Sequence, residues 1–276
     1  MRRHDRLTNL LDELARNGTI EIDEAAARLA VSPATIRRDL DALDEEGLLV
    51  RTRGGALPTS VAYDLPLRYK IDRNAAAKQA IARVAAELVP PGAAVALNGG
   101  TTTTEVARVL GSRTAGAAGS ANSGNSGSHG GNHDSRPRMT VVTNALNIAS
   151  ELALRPEITV VVTGGVVRMQ SYELVGHYAD LVVDQLSFDV AVLGVGGISV
   201  AAGACTPHEG EAAVNGAMAR RAREVIVVAD ASKLGMPAFA RICTVDEVDV
   251  LVTDASAAPA AVDDLTAAGV KVVVAD

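Results

Sequence analysis

The chain reads as an α/β protein in two unequal parts: a small helical domain closed by a β-hairpin, then a larger domain on a mostly parallel sheet. Three observations predict this. Between Asp23 and Leu57, two helical segments and two short apolar strips follow one another through tight turns. From Ala94 to Ala275, short apolar runs alternate with helical stretches. Within that region, residues from about 111 to 137 are rich in Gly, Ser, Asn and Ala with no apolar face, so a disordered surface insertion is expected there. The predicted boundaries are 1–58 for the first domain, 59–74 for a linker and 75–276 for the second domain. Of the 276 residues 48% are hydrophobic but only 2% aromatic, so the core must be built from Val, Leu, Ile and Ala.

The first domain can be justified element by element. Over residues 5–16, Leu7, Leu10, Leu11 and Leu14 share one helical face, and Asn17-Gly18 stops the helix. Thr19–Ile22 is placed to pair with the later hairpin. Asp23 is read as the N-cap of a short helix, Glu24–Ala30, with Ala26, Leu29 and Ala30 as its apolar stripe. Val31 breaks it. Ser32 caps the next helix and Pro33 takes its first position, where a missing N–H costs nothing. Ile36, Leu40 and Leu43 recur at i, i+4 and i+7 and form the buried face. Ala34, Thr35, Arg37 and Arg38 point the other way. Glu46-Gly47 ends the helix, and Leu48–Val50 with Gly54–Leu57 make a hairpin carrying Arg51 and Arg53. Helix, tight turn and helix, with small polar groups and paired arginines leading the second helix, is the arrangement that enters a major groove. The hairpin would lie as a wing along the phosphates. The competing reading is a small helical cap with solvated arginines.

These residues resemble the N-terminal domain of DeoR-type transcriptional regulators. The likeness rests on Ser32 with Thr35–Leu40 (Ser-x-x-Thr-Ile-Arg-Arg-Asp-Leu) and on Arg51 with Arg53–Ala56 (Arg-x-Arg-Gly-Gly-Ala). It implies double-stranded operator DNA as a partner, met by Ser32, Ala34, Thr35, Arg37, Arg38, Arg51 and Arg53. The net charge of −7 shows that most of the chain is no nucleic-acid surface; positive charge is local to these arginines.

In the second domain, a helix is expected over Arg73–Val89, ended by Pro90-Pro91-Gly92. The continuous apolar runs Ala94–Leu97, Thr140–Thr143, Thr159–Thr163, Val190–Val195, Glu224–Ala229, Val248–Thr253 and Val270–Ala275 read as strands covered on both faces. Helices fit Thr103–Leu110, Leu146–Leu154, Gly210–Arg223 and Pro259–Ala268. In such sheets the loops after the strand carboxyl ends form the ligand crevice. Those loops hold Asn98, Gly99, Gly100, Thr101, Thr102 and Thr103, then Asn144, Gly164 and Gly165, and Asp230 to Lys233. Gly99-Gly100 allows close backbone approach, and the helix that follows presents its N-terminal N–H groups to an anion, phosphate being the obvious one. Lys233 and Arg168 could meet that anion or stay solvated. Asn144 could bond a sugar hydroxyl or brace its own turn. Glu209 and Glu211, opening a helix beside His208, are read as complementing its dipole rather than as catalytic groups.

No Walker loop and no Gly-x-Gly-x-x-Gly with an acidic partner is present, so no cofactor is expected. Cys205 and Cys243 match no metal-ligand spacing, His129 and His133 could suggest a metal but lack rigid flanking structure, and no metal and no catalytic residue is assigned. The start, MRRHDRL, lacks a following apolar stretch, and no apolar run approaches the roughly 20 residues of a membrane span, so a cytoplasmic protein without membrane contact is expected.

The second half is also similar to the DeoR family, in its effector-binding domain. The likeness is carried by the Gly-Gly-Thr-Thr-Thr loop, Val141–Asn144, Thr163–Arg168, Phe188-Asp189, the Gly194-rich turn, Asp230-x-Ser-Lys233 and Val252–Asp254. It implies a fold resembling ribose-5-phosphate isomerase and a phosphorylated sugar effector, held by the Thr loop and Lys233. Two departures bear on ligand specificity: Asn98 stands where the family commonly has Asp, and Asn215 where a Lys often occurs. The expectation is a repressor of a carbohydrate operon, acting as a homo-oligomer (dimer or tetramer) and released by its effector. The rival is a sugar-phosphate isomerase-like enzyme with an appended DNA-binding module.

Overall fold

The structure, a computed structural model, describes residues 1–58, 66–119 and 138–276. The linker reading at 59–65 and the disordered-insertion reading at 120–137 lie outside these residues. The described chain forms two units, Met1–Arg73 and Asn74–Asp276.

The first unit runs α1 (Arg3–Asn17), β1 (Ile20–Glu21), α2 (Ile22–Leu29), α3 (Pro33–Glu45), β2 (Val50–Arg51), β3 (Gly55–Leu57) and α4 (Leu67–Lys70). β3 lies between β1 and β2, antiparallel to both. The four leucines of α1 are buried together with Ile36, Leu40 and Leu43 of α3. Gly18 closes α1 at φ 71°, a left-handed conformation that suits glycine. Two expectations are corrected. α2 begins at Ile22, whose side chain is buried in the core, so Asp23 lies in the first turn and Glu21 occupies the cap position. Residues 66–73, read as linker, carry α4: Leu67 and Tyr69 are buried, and the Tyr69 hydroxyl donates to Glu46 at 2.9 Å. An aromatic ring with both a core to enter and a carboxylate to bond is held against the unit.

Two ion pairs tie the helices together, the first buried and the second with only its carboxylate buried. Arg6 of α1 donates through Nε and Nη2 to Asp39 of α3, the second bond at 3.1 Å, and this pairing raises the arginine pKa further. Arg28 of α2 grips the buried Glu13 of α1 with both guanidinium arms.

The second unit opens with α5 (Ala75–Leu88), β4 (Ala94–Leu97), α6 (Thr101–Gly119), β5 (Met139–Thr143), α7 (Leu146–Leu152) and β6 (Ile158–Val162). A hairpin follows, β7 (Val166–Arg168) with β8 (Glu173–Val175), then α8 (His177–Val183) and β9 (Phe188–Gly194). The chain finishes with β10 (Gly197–Ser199), β11 (Gly203–Thr206), α9 (Glu209–Arg220), β12 (Ala222–Val228), β13 (Ala240–Cys243), β14 (Val250–Asp254), α10 (Pro259–Ala267) and β15 (Lys271–Ala275). All seven apolar runs fall in one parallel sheet of order β15-β14-β12-β9-β4-β5-β6. The sheet has a separate core on each face. Val190 and Val192 of β9 pack with side chains of α5, α6 and α7, whereas Ala191 and Leu193 pack with those of α8, α9 and α10.

The hairpin β7–β8, helix α8 and the small antiparallel sheet β10-β11-β13 were not anticipated. The expected insertion start at 111 is also corrected, because α6 continues to Gly119. Leu110 is fully buried, and the Arg113 guanidinium donates to the Ala86 carbonyl of α5, which anchors the extra turns. Among the described residues no helix is long and apolar enough to cross a membrane.

Candidate functional site

The first unit presents the residues expected to read a groove as a set. Ser32 accepts from the Thr35 N–H at 3.2 Å, so its hydroxyl serves the cap. Ala34, Arg37 and Arg38 are exposed, Thr35 is half-buried, and Ile36, Leu40 and Leu43 on the opposite face are fully buried. Arg37 and Arg38 make no ion pair among the described residues, so two guanidinium groups stand clear of the unit. Arg53 is exposed at the tip of the wing. Arg51 differs. Its Nε donates to Asp41 at 2.8 Å and its Nη1 to the Gly55 carbonyl at 2.5 Å, which makes it a brace of the wing. Gly55 is required where it stands, since a Cβ there would lie 1.6 Å from the Ile20 carbonyl oxygen.

In the second unit the sheet order reverses at β4: β5 and β6 extend it to one side, and β9, β12, β14 and β15 to the other. The crevice expected at such a switch point lies past the carboxyl ends of β4 and β9. Asn98 follows β4 directly. Its Oδ1 accepts from the Gly194 N–H at 2.8 Å and its Nδ2 donates to the Gly194 carbonyl at 2.9 Å. Both polar atoms clip the two strand ends together, so Asn98 shapes the loop. Thr101 starts α6. The hydroxyls of Thr103 and Thr104 donate back to the Gly100 carbonyl at 3.1 and 2.6 Å, leaving the first N–H groups of the helix to face outward from its end. Thr102 and Thr103 are buried, and Gly100 and Thr101 half-buried. Gly100 adopts φ 147°.

Lys233 lies in the turn after β12, at the same end of the sheet, half-buried. That turn is held by Asp230, which accepts from the Ser232 N–H at 3.0 Å and from Asn74 at 3.2 Å. Gly164 and Gly165 take φ 73° and 123° after β6 and lead into β7. A Cβ at Gly165 would lie 2.8 Å from the Val175 carbonyl oxygen, so glycine is needed for the hairpin to close.

A buried polar cluster adjoins these loops, and sequence reasoning missed its centre, Glu173 on β8. Asn144 is fully buried and donates to Glu173 Oε2 at 3.0 Å. Arg168 donates from Nη1 to Glu211 at 2.9 Å, and the Thr206 hydroxyl donates to the other Glu211 oxygen at 2.8 Å. Glu211, expected only to complement a helix dipole, is therefore a buried ion-pair partner of Arg168. Burial, reinforced by Glu211 nearby, pushes the Glu173 carboxyl up to about 8. The signal available in the sequence was the pair of short apolar strips Val166-Val167 and Leu174-Val175, separated by a polar turn.

Comparison with known proteins covers both units. Residues 6–60 match the family model described as "DeoR-like helix-turn-helix domain", and residues 73–117 with 133–255 match "DeoR C terminal sensor domain". The chain is 33% identical over 253 residues to the HTH-type transcriptional regulator GlpR of Haloferax volcanii, covering 91% of this chain and 90% of that one. It is 28% identical over 255 residues to the glycerol-3-phosphate regulon repressor of Escherichia coli, 92% of each chain. Among solved structures, ribose 5-phosphate isomerase A of Methanocaldococcus jannaschii aligns at 19% identity over 58% of this chain and 54% of that one, with a TM-score of 0.39, too loose a likeness to carry an argument.

Proposed function

We propose a working mechanism from one settled premise: the chain belongs to the DeoR family of DNA-binding transcriptional regulators. It is a regulator of a carbohydrate operon, a repressor released by a phosphorylated sugar or related metabolite. Relatives named for glycerol-3-phosphate regulation support a phosphorylated effector. In this reading α3 enters the major groove with Ala34, Thr35, Arg37 and Arg38 toward bases and phosphates, Ser32 holding its first turn. Arg53 touches the backbone from the wing, and Arg51 keeps the wing in shape. The observation that carries the reading is the pair Arg37 and Arg38, exposed on a helix whose opposite face is wholly buried. One such module makes few contacts, so a homo-oligomer (dimer or tetramer) reading repeated half-sites is part of the proposal.

The effector's phosphate lies at the N-terminus of α6, over Gly99, Gly100, Thr101, Thr102 and Thr103, with Lys233 supplying positive charge. Asn98 holds that loop in place, and Gly164, Gly165 and Arg168 shape the neighbouring wall. The chain acts in the cytoplasm and works by binding, with no catalytic turnover. Pull-down of genomic fragments with the full chain should recover one or a few promoters. Adding the cognate sugar phosphate should weaken that binding by about 5–150-fold, the usual range of coupling between sites. Recovery of DNA without sequence preference would overturn the proposal.

A further inference from the structure

The polar cluster beside the Gly-Thr loop holds more hydrogen-bonding capacity than the fold uses. Asn144 spends its NH2 group on Glu173 Oε2 at 3.0 Å, the Leu174 carbonyl at 3.4 Å and Asn215 Oδ1 at 3.5 Å. A main-chain carbonyl only accepts, so Leu174 fixes which end of the amide faces it. The other end, Asn144 Oδ1, is buried without a hydrogen-bond partner. Buried carbonyls are rarely left so, because the loss of solvation is not recovered. Gly99 lies directly on the Glu173 carboxyl: a Cβ at that position would sit 2.4 Å from Glu173 Cγ and 2.6 Å from its Oε1. The loop that opens α6 thus touches the cluster, and only a glycine fits between them.

We infer that Asn144 Oδ1 and the Glu173 carboxyl form a second subsite, which takes a hydroxyl group on the carbon chain of a phosphorylated polyol or sugar. This rests on the reading of α6 as the phosphate site and names what the crevice recognises beyond phosphate. The ligand hydroxyl donates to Asn144 Oδ1 and accepts from the protonated Glu173 carboxyl. The charged groups facing Glu173 are Glu211 of α9 and Arg168 of β7, with the amides of Asn144 and Asn215 completing its surroundings. Arg168 donates to Glu211, and burial beside that second carboxylate keeps Glu173 protonated up to about pH 8. Recognition of the hydroxyl therefore weakens as pH rises past that value, since an ionised carboxylate no longer donates.

The test is calorimetric titration of the full chain with inorganic phosphate, glycerol 3-phosphate, ribose 5-phosphate and fructose 1-phosphate, at pH 7 and pH 9. The wild-type chain should prefer at least one organic phosphate to inorganic phosphate, and that preference should shrink at pH 9. Asn144→Leu should lower the preference by about 10- to 100-fold, the scale of one unmet buried hydrogen bond, while leaving inorganic phosphate unchanged. Glu173→Gln, which retains a donor at both pH values, should keep the preference and lose its pH dependence, so a folding defect in the leucine variant does not decide the matter. An undiminished preference in Asn144→Leu, or a wild-type preference equal at both pH values, overturns the hydroxyl subsite while the phosphate site stands. If none of the four phosphates binds the wild-type chain, the phosphate site fails and the subsite with it.

Discussion

Each unit buries charged side chains, and the two do it differently. In the first, Arg6 meets Asp39 through two guanidinium nitrogens, and the exposed Arg3 lies 3.7 Å from the same carboxylate. In the second, two carboxyls lie together. Glu211 is bonded by Arg168 and Thr206, and Glu173 is met by amides, one of which keeps an unpartnered carbonyl. The closed pair pins α1 to α3 and leaves nothing over for a ligand. The open cluster keeps one carboxyl protonated near neutrality and one acceptor idle, the condition in which a buried group is available for binding.

The sharpest way to break this contrast is to open the closed pair. Asp39→Ala leaves Arg6 as a buried cation without its partner and is expected to cost about 3–5 kcal/mol in the first unit. Chemical denaturation should show an early transition for that unit, with the Asn74–Asp276 unit unmoved; a shift no larger than that of an exposed Asp→Ala control would remove the distinction. Next is the exposed pair on α3. Arg38→Ala should lower operator affinity by about 1–3 kcal/mol and flatten its salt dependence, with thermal unfolding unchanged. Fluorescence anisotropy across a salt series measures both, and a parallel loss of stability would mean that Arg38 serves the fold.

A smaller loss is expected from Ser32→Ala, which removes the acceptor for the Thr35 N–H at the start of α3 and should cost about 1 kcal/mol by thermal unfolding. The most subtle test concerns slope. Glu173 ionises near 8 in the folded chain against 4.5 ordinarily, so between these values the folded state holds a proton that the unfolded chain has released. Stability from this group is full below the ordinary carboxylate range and is lost as pH climbs to about 8. Glu173→Gln should erase that decline, so its unfolding temperature gains on wild type across the same interval and then runs parallel. Parallel curves throughout would mean that Glu173 is already ionised in the fold.

Local patterns carried most of the architecture. The parallel strands announce themselves as uninterrupted apolar runs because both faces of the sheet are covered, and α3 is legible because Ser32, Pro33 and the Ile36, Leu40, Leu43 spacing are short-range signals. Several elements of three or four residues were not legible: β7, β8 and β10 lack the length for a period to show, and α4 is held by Tyr69 reaching Glu46, not by its own propensity. The site divides in the same way. The glycines and threonines at the strand ends could be read off as a loop, but the fates of their neighbours could not. Asn98 looked like a ligand group and became a clip on Gly194, while Glu173 drew no notice and became the centre of a buried cluster.

By itself, then, the sequence determined the seven strands of the parallel sheet and the helices between most of them, which face of α3 is buried and which is exposed, and the strand ends where the glycine- and threonine-rich loops gather. These depend on spacings within a turn or a strand, where sterics and burial act between near neighbours. Tertiary structure alone decided which polar side chains are used up and which remain available. Asn144 meets Glu173 across 29 positions and Asn215 across 71, and burial sets the Glu173 proton only once β8 packs against α9.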